Sequence, residues 1–153
     1  MKLIQKFSDL VDALASMREK RRVAVACPYD ESTLKAVECC INLCVAEFIL
    51  IGTPDKLATL PAMMARSSSV RLVETDSDVD AVTAAIVMAR NGESDVVMKG
   101  LVSTDVLLKA VLSKEQGLLP AGRVLTHLSV AELPGYHKGF GLRTFRFVFC
   151  GLE

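Results

Sequence analysis

The amino-acid sequence predicts an α/β protein of three layers, helix, sheet and helix, built on a mostly parallel sheet. Short apolar runs alternate with longer stretches in which apolar residues recur every three to four positions. The short runs are apolar almost without interruption, as strands covered on both faces require. Hydrophobic residues make up 51% of the 153-residue chain, enough for a core and too many for disorder, and one domain is the default at this length.

Each element has a local signal. Ser8 caps a first helix running through about Lys20, with Leu10, Val11, Leu14 and Met17 on one face. Residues 22–26 form a buried strand that exits at Cys27-Pro28. Asp30 or Ser32 starts a helix reaching about Leu43. Residues 47–51 form a second strand, stopped by Gly52, and Thr53-Pro54-Asp55 sets a cap before a first-turn proline. Ser67-Ser68-Ser69 is a loop, and residues 70–74 form a third strand. Ser77 or Asp78 opens a long helix with Val79, Val82, Ala85, Ile86 and Ala89 on its apolar face, and Asn91-Gly92 closes it as a left-handed cap. Residues 95–98 are a fourth strand, 103–112 a helix, and 124–129 a fifth strand. Strand and helix in this alternation make a parallel sheet with helices on both faces.

Composition narrows the function. The 18 basic and 18 acidic residues leave no basic excess, which argues against nucleic acid as partner. No apolar run approaches the ~20 residues that span a bilayer, and the start is too polar for a signal peptide, so a cytoplasmic protein is expected. The five cysteines (Cys27, Cys39, Cys40, Cys44 and Cys150) form no CxxC pair and read as reduced thiols, those in the apolar stretch 37–45 acting as small hydrophobes. Met63, Met64 and Met88 read as core filling, and Glu74, Asp76, Asp78 and Asp80 as a solvated helix start.

Ligands of open parallel sheets bind outside the carboxyl ends of the strands. Three exits qualify: Cys27-Pro28-Tyr29-Asp30, Gly52-Thr53, and Lys99-Gly100-Leu101-Val102-Ser103-Thr104. The third is the most informative. Lys99 puts a cation at a strand tip, Gly100 lets backbone approach a ligand closely, and Ser103 and Thr104 offer hydroxyls where a helix begins. A phosphate or acyl phosphate suits that arrangement, and an ordinary capped helix beside a solvated lysine would read the same. Neither the GxxxxGK[ST] nor the GxGxxG spacing occurs. His127, in the expected fifth strand, is either a satisfied core histidine or a ligand, and His137 falls in a loop.

The run Val97-Met98-Lys99-Gly100-Leu101-Val102-Ser103-Thr104, followed by Leu107-Leu108-Lys109-Ala110-Val111-Leu112, resembles phosphate butyryltransferases. Gly117 through Val130, with Thr126 before His127, continues the likeness, as does Tyr136-His137-Lys138. The resemblance covers residues 10 to 138 and implies the amino-terminal half of such an enzyme. It implies the first domain of the two-domain fold shared with isocitrate and isopropylmalate dehydrogenases, assembled as a dimer or larger. It implies the reaction of acyl-CoA with inorganic phosphate to give acyl phosphate and CoA. CoA is then a substrate, and no metal or bound cofactor is expected. Lys99, Gly100, Ser103, Thr104 and His127 become the phosphate-site candidates, while a thiol base and an arginine clamp would come from the family's second half.

The likeness stops at Lys138. Residues 139–153 hold four of the six phenylalanines and read as an aberrant tail, as an altered reading frame with an early stop would give. Two domain-level units are therefore expected, the α/β domain 1–138 and the tail 139–153, with little or no turnover from this chain alone. The alternatives are a non-catalytic α/β binding or assembly domain and a different enzyme of the same fold.

Overall fold

The structure, a computed structural model, describes residues 6–120 and 122–125. Its elements in chain order are α1 (Phe7–Ala15), β1 (Arg21–Ala26), α2 (Glu31–Asn42), β2 (Ala46–Gly52), α3 (Pro54–Leu57), α4 (Ala62–Ala65), β3 (Val70–Glu74), α5 (Asp78–Arg90), β4 (Val96–Lys99) and α6 (Thr104–Val111). The four strands pair in parallel in the order β3-β2-β1-β4. On one side of β1, Ala26 is in register with Ile51 of β2, and on the other with Lys99 of β4. The chain thus leaves β1 in one direction, reaches the far edge at β3, and returns through α5 to the opposite side. That reversal opens a crevice at the carboxyl ends of β1 and β4.

Each face of the sheet carries its own core. Ala24, Ala26, Ile49 and Ile51 meet Ala81, Val82 and Ala85 of α5, with Val106, Leu107 and Ala110 of α6 alongside. Val25, Phe48 and Leu50 face the other way, onto Val37 of α2 and Leu57, Leu60 and Met64. Alternate residues of β1 and β2 therefore feed opposite cores, which explains why both strands are apolar from Val23 and Phe48 onward. The outer strands differ. Leu72 of β3 and Val96 of β4 are exposed, because an edge strand is covered less completely.

Several expectations need correction. α1 starts one residue before Ser8, capped at Lys6, whose backbone N–H donates to the Asp9 carboxylate at 3.1 Å. It stops at Ala15 rather than near Lys20. The Ser16 hydroxyl and the Lys20 ammonium donate to the Ala13 and Ala15 carbonyls, each at 2.7 Å, and so satisfy the helix end. β1 is longer by one residue, β2 by one at each end and β4 is shifted by one, and α6 begins at Thr104 because Ser103 is its cap. On α5 the buried stripe is Ala81, Val82, Ala85 and Ile86, while Val79 is exposed. Small alanines on both partners let the helix sit close to the sheet, and that fixes its rotation. Met64 is buried but Met63 is 68% exposed, because α4 is a single turn with one inward face. Cys39 and Cys44 are exposed, and the four described cysteines are free thiols. The sequence signals did not separate α4 from the loop around it. Of the expected fifth strand, Val124 and Leu125 are described and are not in a strand; the rest, with His127, His137, Cys150 and the tail, lies outside the described residues.

Candidate functional site

The β4 exit is built against the β1 exit. Gly100 N–H donates to the Ala26 carbonyl at 2.9 Å and Leu101 N–H to the Cys27 carbonyl at 2.8 Å. Cys27 holds φ +57, in the left-handed region, and its carbonyl also accepts from Tyr29 N–H at 2.8 Å. Gly100 is buried, and a Cβ there would lie 2.1 Å from the Cys27 carbonyl oxygen. The close approach this glycine permits is therefore to its neighbouring strand. Val102 N–H closes the turn onto the Gly100 carbonyl at 3.0 Å.

Lys99, Gly100, Ser103 and Thr104 come together around this one turn. Lys99 is exposed, and its ammonium donates to the carbonyls of Val102 (2.9 Å) and Gly100 (3.4 Å). Ser103 caps α6, its Oγ accepting from Asp105 N–H at 3.2 Å. Thr104 is the exposed first residue of the helix. His127 lies outside the described residues.

Two other helices that start at this end of the sheet, α2 and α5, are already supplied with negative charge. The Asp30 carboxylate accepts from Thr33 N–H (2.9 Å), from Thr33 Oγ1 (2.7 Å) and from Ser32 Oγ. Burial opposes ionisation of Asp30, yet the hydrogen bonds from Ser32 and Thr33 together hold its carboxyl below the usual range. α5 carries Asp78 and Asp80 in its first turn behind the Ser77 cap. α6 has a neutral hydroxyl as its cap and Lys99 beside it, against one acid, Asp105, in its first turn. Of these N-termini it is the best suited to an incoming anion.

Sequence reasoning missed a second cluster, across the β1 and β2 exits. Tyr29 OH accepts from Thr53 N–H at 2.9 Å and donates to Asp78 Oδ1 at 3.1 Å. Lys56 Nζ lies 2.7 Å from Asp78 Oδ2 and 4.5 Å from the centre of the Tyr29 ring. The hydrogen bond from Lys56 holds the Asp78 carboxyl below its ordinary range, and the same bond raises the Lys56 ammonium. Burial raises the Tyr29 hydroxyl, and burial followed by the Asp78 charge pushes the Cys27 thiol up to about 11. Asp78 is thus tied into a network rather than simply solvated. Gly52 was the readable hint: a Cβ there would lie 2.3 Å from Tyr29 OH.

A concavity of about 630 Å³ lies between α2 and α4, lined among others by Tyr29, Leu34, Ile41, Met63 and Met64. None of Lys99, Gly100, Ser103 or Thr104 lines it. Among the described residues, no group of three or more His, Cys, Asp or Glu could hold a metal ion, and no helix is long and apolar enough to cross a membrane.

Comparison with known proteins bears out the resemblance to phosphate butyryltransferases. No family model matches the chain. It is 34% identical over 133 residues to a probable phosphate butyryltransferase of Bacillus subtilis, covering 87% of this chain and 44% of that protein. It is 31% identical over 137 residues to the phosphate butyryltransferase of Clostridium acetobutylicum, covering 89% and 45%. The chain thus spans less than half the length of the curated relatives it matches. Among solved structures, a branched-chain phosphotransacylase from Enterococcus faecalis superposes with a TM-score of 0.59 at 20% identity, over 74% of this chain and 38% of that one. At that identity the likeness is one of fold.

Proposed function

We propose, from its kinship with the phosphate butyryltransferases, that this chain takes part in reversible acyl transfer between coenzyme A and inorganic phosphate. Acyl-CoA and phosphate give acyl phosphate and CoA, with butyryl as the acyl group. One observation supports the placement: the Lys99–Thr104 turn stands at the sheet's reversal point, with an exposed lysine beside a helix start. CoA enters as a substrate, and the reading needs no metal.

Transfer requires the CoA thiol to lose its proton and attack the acyl phosphate carbonyl, or the reverse. Donors must hold the phosphoryl group as negative charge shifts onto it. In this reading the first backbone N–H groups of α6 and the Thr104 hydroxyl bind the phosphoryl oxygens. Lys99 exchanges the Val102 carbonyl for a phosphate oxygen, a stronger charge-assisted contact. Ser103 keeps Asp105 N–H as its donor while its own hydroxyl hydrogen turns to the ligand. His127 is a further phosphate ligand in this proposal. The thiol base and an arginine clamp come from a second domain across the cleft, in an isocitrate dehydrogenase-like pair. The assembly is a homo-oligomer in the cytoplasm.

Calorimetry with butyryl phosphate tests the site. Binding that weakens several-fold in Lys99→Ala supports it, and unchanged binding removes Lys99 from the site. Thiol release from butyryl-CoA and phosphate tests the division of labour. The chain alone should fall far below the median enzyme turnover of about 10 per second. Turnover near that value would show that no second domain is needed.

A further inference from the structure

A residue before proline favours extended backbone, yet Cys27, followed by the buried Pro28, holds φ +57. A residue other than glycine keeps that conformation only where its surroundings over-determine it. Hydrogen bonds from several elements do so here. Cys27 N–H donates to the Ile51 carbonyl at 2.9 Å, and Cys27 Sγ donates to the Asp78 carbonyl at 3.6 Å. The Cys27 carbonyl in turn accepts from Tyr29 N–H and from Leu101 N–H, each at 2.8 Å.

The two bonds to that carbonyl join separate parts of the molecule. Tyr29 N–H closes a tight turn around Pro28, so the Cys27 carbonyl, Pro28 and Tyr29 N–H move as one piece. The Tyr29 side chain ties that piece down at the β2 exit. Its hydroxyl is held by Thr53 N–H at 2.9 Å and by Asp78 Oδ1 at 3.1 Å, and Lys56 lies over the ring while pairing with Asp78. Leu101, on the other side, belongs to the Lys99–Thr104 turn. That turn is seated without slack, since a Cβ on Gly100 would meet the same carbonyl oxygen at 2.1 Å. A Cys27 relaxed to extended backbone would swing the Pro28 turn away and carry its carbonyl off Leu101 N–H.

We infer that Tyr29 is a positioning residue for the Lys99–Thr104 turn: its anchored side chain keeps Cys27 left-handed and so aims the carbonyl that seats Leu101. Asp78 and Lys56 act through Tyr29, the first as its acceptor and the second by fixing that carboxylate. The cluster at the β1 and β2 exits thereby sets the geometry of the β4 exit. Its effect on phosphate affinity rests on the phosphate-site reading above; its effect on the turn does not.

Backbone chemical shifts of the folded whole chain test this on Tyr29→Phe, which keeps the ring and loses the hydroxyl, and on Lys56→Met. Lys35→Met, which breaks the exposed pair with Glu31, is the control. The Cys27 carbonyl-carbon and Leu101 amide signals should move in Tyr29→Phe, move less in Lys56→Met, and stay in place in Lys35→Met. In a Cys27→Gly background the same Tyr29→Phe change should displace Leu101 less, because glycine takes φ +57 without cost. A purely structural hydroxyl would lower the unfolding midpoint of Tyr29→Phe and leave both signals unmoved. That result would overturn the inference, as would equal movement in Lys35→Met or undiminished displacement in the Cys27→Gly background. Calorimetry with inorganic phosphate runs on the same proteins, and Tyr29→Phe should bind it several-fold more weakly than wild type. If wild type binds no phosphate while Leu101 moves as stated, the phosphate-site reading falls and the positioning of the turn stands.

Discussion

Replacing Gly100 with alanine puts the interlock between β1 and β4 to a direct test. The added Cβ would lie 2.1 Å from the Cys27 carbonyl oxygen, 2.8 Å from its carbon and 3.0 Å from the Ala26 carbonyl oxygen. All three are backbone atoms at the exit of β1, so no side chain can swing aside. β4 must separate from β1, and the bonds from Gly100 N–H and Leu101 N–H go with it. Each backbone bond contributes about 0.5–1.5 kcal/mol, and overpacking costs about 1–3 kcal/mol, so a loss of about 2–6 kcal/mol is expected. That is a large part of the roughly 5–15 kcal/mol that holds a domain together. Urea unfolding followed by circular dichroism measures it. Gly92→Ala is the control: Gly92 has φ +73 with nothing within 4 Å of an added Cβ, so only the left-handed penalty of about 1–2 kcal/mol applies. A Gly100→Ala chain within about 0.5 kcal/mol of wild type, or no worse than Gly92→Ala, would refute the interlock.

Other consequences follow from the same geometry. Tyr29→Phe removes the partner of Thr53 N–H and of Asp78 Oδ1 and should cost about 1–3 kcal/mol in the same unfolding assay, with no loss expected if those bonds are incidental. Asp95 is held below its ordinary range first by the Arg22 N–H and then by the Arg22 and Arg21 charges, as Asp78 is by Lys56 and Asp30 by Ser32 and Thr33. Depressed carboxyls stabilise above their unfolded value near 3.8 and lose that contribution as pH falls through their lower folded values. Stability should therefore drop below about pH 4, less steeply in Asp95→Asn, and matching profiles would contradict the assignment. Cys27 is wholly buried with its thiol raised to about 11, so iodoacetamide at pH 8 should label exposed Cys39 and Cys44 and spare Cys27 in the native chain; rapid labelling of Cys27 would mean that the site floor opens.

Much of the scaffold could be read from local chemistry. β3 runs over Val70–Glu74 as expected, Asp30 caps α2, and Gly92 follows α5 in the left-handed region. In each case one residue type has one dominant local use. Features set by distant partners were not readable in this way. Val79 is turned outward because α5 docks through alanines, and Met63 is exposed because α4 is too short to bury two neighbours. The end of α1 depends on Lys20 folding back, which no periodicity signals. Cys27 and Cys44 adopt positive φ where glycine would be the expected residue, so no breaker marks them. At the site, the grouping of Lys99, Gly100, Ser103 and Thr104 was readable because they are sequential. The Lys56–Asp78–Tyr29 network joins three separate strand and helix ends, and Gly52 at the β2 exit is its one local trace.

Amide chemical-shift mapping with inorganic phosphate tests whether the Lys99–Thr104 turn binds a phosphoryl group. Saturable shifts confined to Cys27 and to residues 99–106, abolished in Lys99→Ala, are expected. Shifts centred on the α2–α4 concavity, or none at saturating phosphate, would contradict it.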